Sequence, residues 1–191
     1  MSRSIAFLLL LGSLFMSFTH AADYAVGDRL VPKTDDKARH PNEVSWNDLL
    51  PKGWDPVKEL EAMDLSSLQD ADPAASAALE KITKMWNEAP VNQAMGGREV
   101  RLAGFTVPLE FTDTTLKESL LVPYFGACIH VPPPPANQIV HVVLERAVPL
   151  DDVGEAVWVE GVLELVRLES DMAKAGYRIK ARKIEDRDGA R

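Results

Sequence analysis

The architecture follows from residues 100–109, which read V-R-L-A-G-F-T-V-P-L. Apolar side chains alternate with other residues on both sides of Gly104, but the phase of the alternation changes at the glycine. Because successive side chains of a strand point to opposite faces, the alternation predicts a β-strand. A glycine at a phase change is typical of a β-bulge, so we expect one long, curved strand with a bulge at Gly104.

Four further segments with β-strand character follow along the chain. They are residues 119–122, 139–144, 157–165 and 177–182. The third of them is long, alternates and has Gly161 at its centre. Because long bent strands can serve both sheets of a small barrel, the five strands predict a five-stranded barrel of the OB type. A two-layer β-sandwich with the helices packed at one end is the alternative architecture.

A helical segment is predicted before this mainly β domain, which makes the chain α+β overall. Residues 45–48 resemble a capping box and predict one short helical turn. Asp55-Pro56 and Asp72-Pro73 each place an acidic N-cap before a proline, which predicts two helices, the first ending near Leu68. The second helix ends before Pro90 and carries an apolar stripe that we expect to pack in the core. The stripe consists of Ala75, Leu79, Ile82, Met85 and Trp86.

The first 21 residues have the features of a secretory signal peptide. Arg3 precedes an apolar run at residues 5–18, and small residues then predict cleavage after Ala21. No later stretch is long and apolar enough for a transmembrane helix, so we expect an exported, periplasmic protein. The predicted organisation is a signal peptide at 1–21, an extended polar arm at 22–42, a helical segment at 43–95, the barrel at 96–184 and a charged tail at 185–191.

The acidic balance of the mature chain argues against two classes of partner. Without Arg3, 20 basic residues stand against 29 acidic ones, a net charge of about −9 with neutral histidine. Nucleic-acid binding depends on the neutralisation of phosphates by lysine and arginine, and docking on anionic lipid headgroups needs the same charges. Neither partner is expected.

The candidate site is residues 126–138, which read G-A-C-I-H-V-P-P-P-P-A-N-Q. Cys128 is the only cysteine of the chain and lies two residues before His130. Residues two apart on an extended backbone point the same way, and a thiolate with an imidazole suits Zn²⁺ or Cu⁺. His141 lies on the next predicted strand and is the candidate third ligand. Further donors could come from His40, Glu110 and Asp113.

Two other interpretations of this block stay open. Cys128 could be the nucleophile of a thiol enzyme, with His130 or His141 as its base. Alternatively, the block is structural: a free cysteine often fills core volume, and four prolines form a stiff polyproline II stretch that borders a pocket or docks on a partner. The candidate binding residues are then Pro132, Pro133, Pro134, Pro135, Asn137 and Gln138.

Residues 125–138, with G-F-T-V-P-L-E at 104–110 and V-E-G-V-L at 159–163, resemble the exported bacterial family called domain of unknown function 3299. The resemblance covers about residues 44–184, with Ala136 standing where the proline run would be expected to continue. The matching positions are Cys128, His130, Pro132, Pro133, Pro134, Pro135, Asn137 and Gln138.

The resemblance implies a periplasmic or lipid-anchored protein whose gene lies near those of ABC-type transporters, some of them linked to metal limitation. The expected function is therefore that of a non-enzymatic binding or accessory protein, which handles zinc or assists an envelope transporter. A thiol enzyme and a purely structural docking module are the alternatives.

Overall fold

Six β-strands and one α-helix form within the part of the chain that the computed structural model describes, which is residues 24–30, 40–55, 58, 61, 73–130, 133–150, 153, 155–170 and 172–187. The strands are β1 (Glu43–Val44), β2 (Glu99–Phe111), β3 (Thr115–Val122), β4 (Val140–Pro149), β5 (Ala156–Glu169) and β6 (Lys174–Asp186). The helix is α1 (Pro73–Asn87), and short 3-10 turns occupy Trp46–Leu49, Gln93–Met95 and Ala136–Gln138.

Strands β2 to β6 close into a barrel. The neighbours run β2-β3-β4-β6-β5, and β5 pairs again with β2. Only the β4–β6 pair in this ring is parallel, and β1 adds a short parallel strand to β2 outside it. This ring of five strands confirms the predicted small barrel of the OB type rather than the β-sandwich.

Two hydrophobic cores lie on opposite faces of the strands. Neighbouring residues such as Leu120 and Leu121, or Ile139 and Val140, belong to different cores, as the alternation of a strand requires. The first core fills the barrel with residues from all five strands: Val100, Leu102, Leu116, Leu121, Val140, Val142, Leu144, Val157, Val159, Leu163, Tyr177, Ile179 and Ala181, together with Leu49 and Met95. The second core consists of Phe105, Val107, Leu120, Val122, Ala127, Ile139, Ala156, Ala173 and Ala175.

The phase change at Gly104 has a cause other than the predicted bulge. The β2–β5 ladder continues without a register shift from Glu99 to Phe105, and the shifts between β2 and β3 fall beyond Pro108. The apolar set changes because β2 first packs in the barrel and then, after Gly104, in the second core. The glycine itself is needed for space, since a Cβ there would lie 2.6 Å from Leu121 Cγ.

The predicted bend at Gly161 coincides with a true irregularity. The β5–β6 register shifts between Glu160 and Gly161, which is the signature of a bulge. A Cβ at Gly161 would lie 2.1 Å from the Lys180 carbonyl oxygen, so only glycine allows the two strands to approach this closely.

The helical segment is tied to the barrel by side chains of its first turn. The predicted turn begins with the backbone N–H of Ser45 donating to Asp48 Oδ2 at 2.7 Å, as in a capping box. Trp46 Nε1 donates to the Ala103 carbonyl oxygen at 2.8 Å, and its ring packs against the first core. Trp46 therefore fixes this segment onto strand β2.

Helix α1 forms where the second helix was predicted, but its packing differs. No residue of the helix is buried, and Leu79 of the predicted stripe is 64 % exposed. The expectation that the whole stripe packs in the core was therefore wrong. Of the predicted first helix, Lys58 and Glu61 have helical backbone, and most of the rest lies outside the described residues.

The structure describes the two ends of the chain to different extents. The predicted signal peptide lies outside the described residues, as do residues 31–39 of the arm. Strand β6 continues to Asp186, and the Arg187 N–H donates to the Ala156 carbonyl oxygen at 2.9 Å, so the predicted charged tail begins later than residue 185. Among the described residues, no helix has the length and apolar character needed to cross a membrane.

Candidate functional site

Cys128 lies on a tight turn, residues 124–130, hereafter the Cys128 turn. Gly126 and Cys128 both have left-handed backbone, with φ of 79° and 66°. The His130 N–H donates to the Gly126 carbonyl oxygen at 2.8 Å, which closes the turn. A left-handed conformation costs a non-glycine residue about 1 kcal/mol or more, so surrounding contacts hold Cys128 in place.

The Cys128 side chain packs as a hydrophobic residue. It is half-buried against the second core and forms no disulfide. Burial raises the pKa of its thiol from 9.0 to about 11. At pH 7 about one such thiol in ten thousand is ionised, whereas nucleophilic attack and metal binding both need the thiolate. The environment of Cys128 therefore opposes the nucleophilic role that the sequence suggested.

Part of the predicted polar arm is structured and covers the Cys128 turn. Residues 24–30, hereafter the docked arm, exchange backbone hydrogen bonds of 2.9 Å with Phe125 through Gly27 and Asp28. The Tyr24 ring lies edge-on to Phe105, with 4.8 Å between centroids, and Tyr24 packs against the second core. The arm was predicted as extended and polar, and the signal missed there was its two large apolar side chains, Tyr24 and Leu30, which both pack against the second core.

The two predicted histidine ligands have different environments. His130 is exposed, whereas His141 is only 5 % exposed. Arg178 Nε donates to His141 Nδ1 at 3.3 Å, and His141 Nε2 lies 2.9 Å from Glu118 Oε2. Because arginine cannot accept a hydrogen bond, Nδ1 is the acceptor and the proton is on Nε2, which donates to Glu118. Both ring nitrogens of His141 are thus occupied within the protein.

The predicted zinc ligands do not assemble. Across the described ranges, no group of three or more histidine, cysteine, aspartate or glutamate side chains could hold a metal ion. Those ranges include Cys128, His130 and His141, as well as the further candidate donors His40, Glu110 and Asp113. The donor set therefore does not fit a structural zinc site, which takes four ligands.

The prolines and the amide pair act as structural connectors. Pro134 is buried, Pro133 and Pro135 are partly buried, and Pro132 lies outside the described residues. The fully buried Asn137 donates from Nδ2 to the Pro90 carbonyl oxygen at 2.8 Å, and Gln138 Nε2 donates to the Trp46 carbonyl oxygen at 2.9 Å. Both amides tie the helical segment to the barrel, and their predicted role in ligand binding stays a prediction.

A cavity that no sequence motif marks lies away from the Cys128 turn. It has a volume of about 250 Å³ and lies between the end of α1, the turn Ala136–Gln138 and the β5–β6 hairpin. Its walls come from three segments that are far apart in sequence, so no local spacing could have revealed it.

The family assignment follows from comparison with known sequences. The family described as "Protein of unknown function (DUF3299)" matches residues 46–186. The chain belongs to the DUF3299 family. The predicted resemblance to this family is thereby confirmed, and the match begins at Trp46, the anchor of the helical segment.

One solved structure supports the assignment of this DUF3299 protein. The crystal structure of a DUF3299 family protein from Pseudomonas aeruginosa PAO1 has 37 % sequence identity and a TM-score of 0.58, with 77 % of this chain and 96 % of that chain covered. An OBody, AM2EP06, bound to hen egg-white lysozyme has 16 % identity and a TM-score of 0.26 over 48 % of this chain and 82 % of that one, which supports no argument. No curated protein matches the chain.

Proposed function

We propose that this protein is an exported, non-enzymatic accessory protein that docks on a component of an ABC-type transporter in the cell envelope. The docking surface consists of the Cys128 turn and the docked arm. A pair of exposed aliphatic side chains carries the proposal: Ile129 is 58 % exposed on the turn, and Val26 is 52 % exposed on the arm. Exposed apolar side chains that form a continuous patch are typical of protein interaction sites.

The two side chains lie on a common, rigid support. A Cβ at Gly126 would lie 3.2 Å from Val26 Cγ1, so the arm valine packs directly over the glycine that starts the turn. The Ile129 N–H donates to the Gly126 carbonyl oxygen at 3.3 Å. A preorganised surface loses little conformational entropy on binding, which favours docking through these residues.

The protonated thiol gives Cys128 a structural part in this surface. Cys128, whose burial raises its pKa to about 11, packs against the second core, while Ile129 and His130 on the same turn face solvent. Docking thus needs no ionised thiol, whereas a thiol enzyme or a zinc site would need one. The transporter as partner rests on the family resemblance.

Site-specific photo-crosslinking in cells tests the docking proposal. A photoreactive amino acid at position 129 is expected to crosslink to a transporter component, identified by mass spectrometry. The matched control is position 111, because Phe111 is also 58 % exposed. Phe111 ends β2 and lies beside the start of β3, whereas position 129 follows the end of β3. Crosslinks to unrelated proteins only, or equal crosslinking of the same proteins from position 111, would refute the proposal.

Zinc handling is the other role that the resemblance implies, and it has less support because only Cys128 and His130 remain as donors on the turn. Calorimetric titration of the protein with zinc under reducing conditions tests this second role. Stoichiometric binding that Cys128→Ala abolishes would favour metal handling, whereas equal heats for both proteins would exclude Cys128 as a ligand.

A further inference from the structure

The 250 Å³ cavity has an apolar interior and a charged rim. Apolar walls come from the segment after α1, from the residue that follows the four prolines 132–135, and from the β5–β6 hairpin. The apolar lining residues are Ala89, Val91, Ala136, Val166, Leu168 and Ala175. Sites with apolar walls and a few polar groups at defined positions are typical of small-molecule binding.

A bulge in β5 forms one wall of the cavity. The pairs Leu165–Tyr177 and Leu168–Ala175 leave two residues, Val166 and Arg167, opposite the single residue Gly176. Bulges redirect side chains and are common beside functional sites. Here the bulge brings both Val166 and Arg167 to the cavity.

The opposite wall depends on the side-chain amide of Asn137. Asn137 holds the Pro90 carbonyl oxygen at 2.8 Å, and the neighbours of Pro90, which are Ala89 and Val91, line the cavity. A Cβ on Gly176 would lie 2.7 Å from Val91 Cγ1, so this glycine allows the two walls to approach each other. The Asn137 side chain therefore shapes this cavity rather than a site at Cys128.

Two side chains of opposite charge at the rim have no partner among the residues that the structure describes. Lys174 and Glu169 pair with each other at 3.1 Å. Glu88 and Arg167 also line the cavity, and neither side chain makes a hydrogen bond or ion pair with another described residue. A ligand with both an ammonium and a carboxylate group would complement this pair.

We propose that the cavity binds a zwitterionic molecule of amino-acid or dipeptide size with an aliphatic side chain. The ammonium group lies at Glu88, the carboxylate at Arg167, and the aliphatic group occupies the apolar interior. The size agrees, because the pockets that hold drug-sized ligands begin at about 300 Å³ and this cavity is slightly smaller.

Titration of the ¹⁵N-labelled protein with L-alanyl-L-leucine, followed by NMR, tests the proposal. We expect saturable shifts at amides of the cavity walls. Glu88→Gln and Arg167→Gln each remove one exposed rim charge, and each is expected to weaken binding about three- to tenfold. Arg146→Gln is the matched control, because Arg146 is exposed on β4 outside this cavity.

Capped dipeptides assign each charge to its partner. The N-acetylated dipeptide should bind more weakly than the zwitterion and be insensitive to Glu88→Gln, and the C-terminal amide should be insensitive to Arg167→Gln. Absence of saturable shifts at millimolar dipeptide would overturn the proposal. Equal binding of capped and free dipeptides, or an Arg146→Gln effect as large as that of the rim variants, would overturn it as well.

Discussion

The hydroxyl of Tyr177 donates a 2.6 Å hydrogen bond to the carbonyl oxygen of Leu49, which lies 128 residues earlier in the chain. The same hydroxyl accepts the N–H of Asn92 at 2.6 Å. Tyr177 is fully buried in the first core, so one phenol links the helical segment to the centre of the barrel.

Tyr177→Phe is therefore expected to destabilise the fold. The substitution keeps the ring but leaves a carbonyl and an N–H without their partner, which costs about 1–3 kcal/mol for buried groups. Urea denaturation followed by tryptophan fluorescence measures the loss. An unchanged midpoint would show that water replaces the hydroxyl at no cost.

The thiol of Cys128 predicts how stability depends on alkaline pH. The pKa of Cys128 is about 11 in the folded protein against an ordinary value of 9.0, so the folded state retains a proton that the unfolded state releases. The thiol's contribution to the free energy of unfolding is fully present below pH 9 and is lost as the pH rises towards 11. The stability difference between wild type and Cys128→Ala should shrink over this window. A difference that is independent of pH would contradict the raised pKa.

The left-handed backbone of Cys128 can be tested separately from its side chain. Cys128→Ala and Cys128→Gly both remove the packed thiol, but only glycine adopts a φ of 66° without strain. The glycine variant is therefore expected to be more stable than the alanine variant by about 1 kcal/mol. Thermal unfolding of the pair provides the measurement, and an alanine variant of equal or greater stability would argue against strain in the turn.

Gly104→Ala tests whether position 104 of β2 has to be a glycine for lack of space. The added Cβ would lie 2.6 Å from Leu121 Cγ, and overpacking of this kind costs about 1–3 kcal/mol. In a Leu121→Ala background the contact with Leu121 is absent and only the 3.0 Å contact with Trp46 Cζ2 remains, so the same substitution should cost less there. A double-mutant cycle of unfolding free energies measures this coupling, and strictly additive effects would refute the steric explanation.

The sequence predicted the barrel because its strands carry their own signals. The alternation of apolar and polar residues identifies β2 and β5 without any knowledge of distant contacts. Five strands, two of them long and bent, can pair in only a few ways. The bulge at Gly104 was a wrong prediction, since a phase change in sequence looks the same whether a strand bulges or passes from one core to another.

The candidate site was less predictable, because reactivity depends on the surroundings of a residue. Cys128 and His130 are close in sequence, but the raised pKa of Cys128 comes from burial against strands that only the fold brings near. Likewise, the amide of Asn137 looked free for a ligand until its bond to Pro90, 47 residues earlier, was known.

Closure of the barrel through β2 and β5 constrains the order in which the chain can fold. Glu99 pairs with Val162, and the first core draws on residues from Leu49 to Ala181. Almost the whole polypeptide must therefore be available before the barrel can form, and contacts so distant in sequence make folding slow. Until β6 pairs with β4 and β5, the earlier strands present unpaired edges, which makes the partly folded chain prone to aggregation.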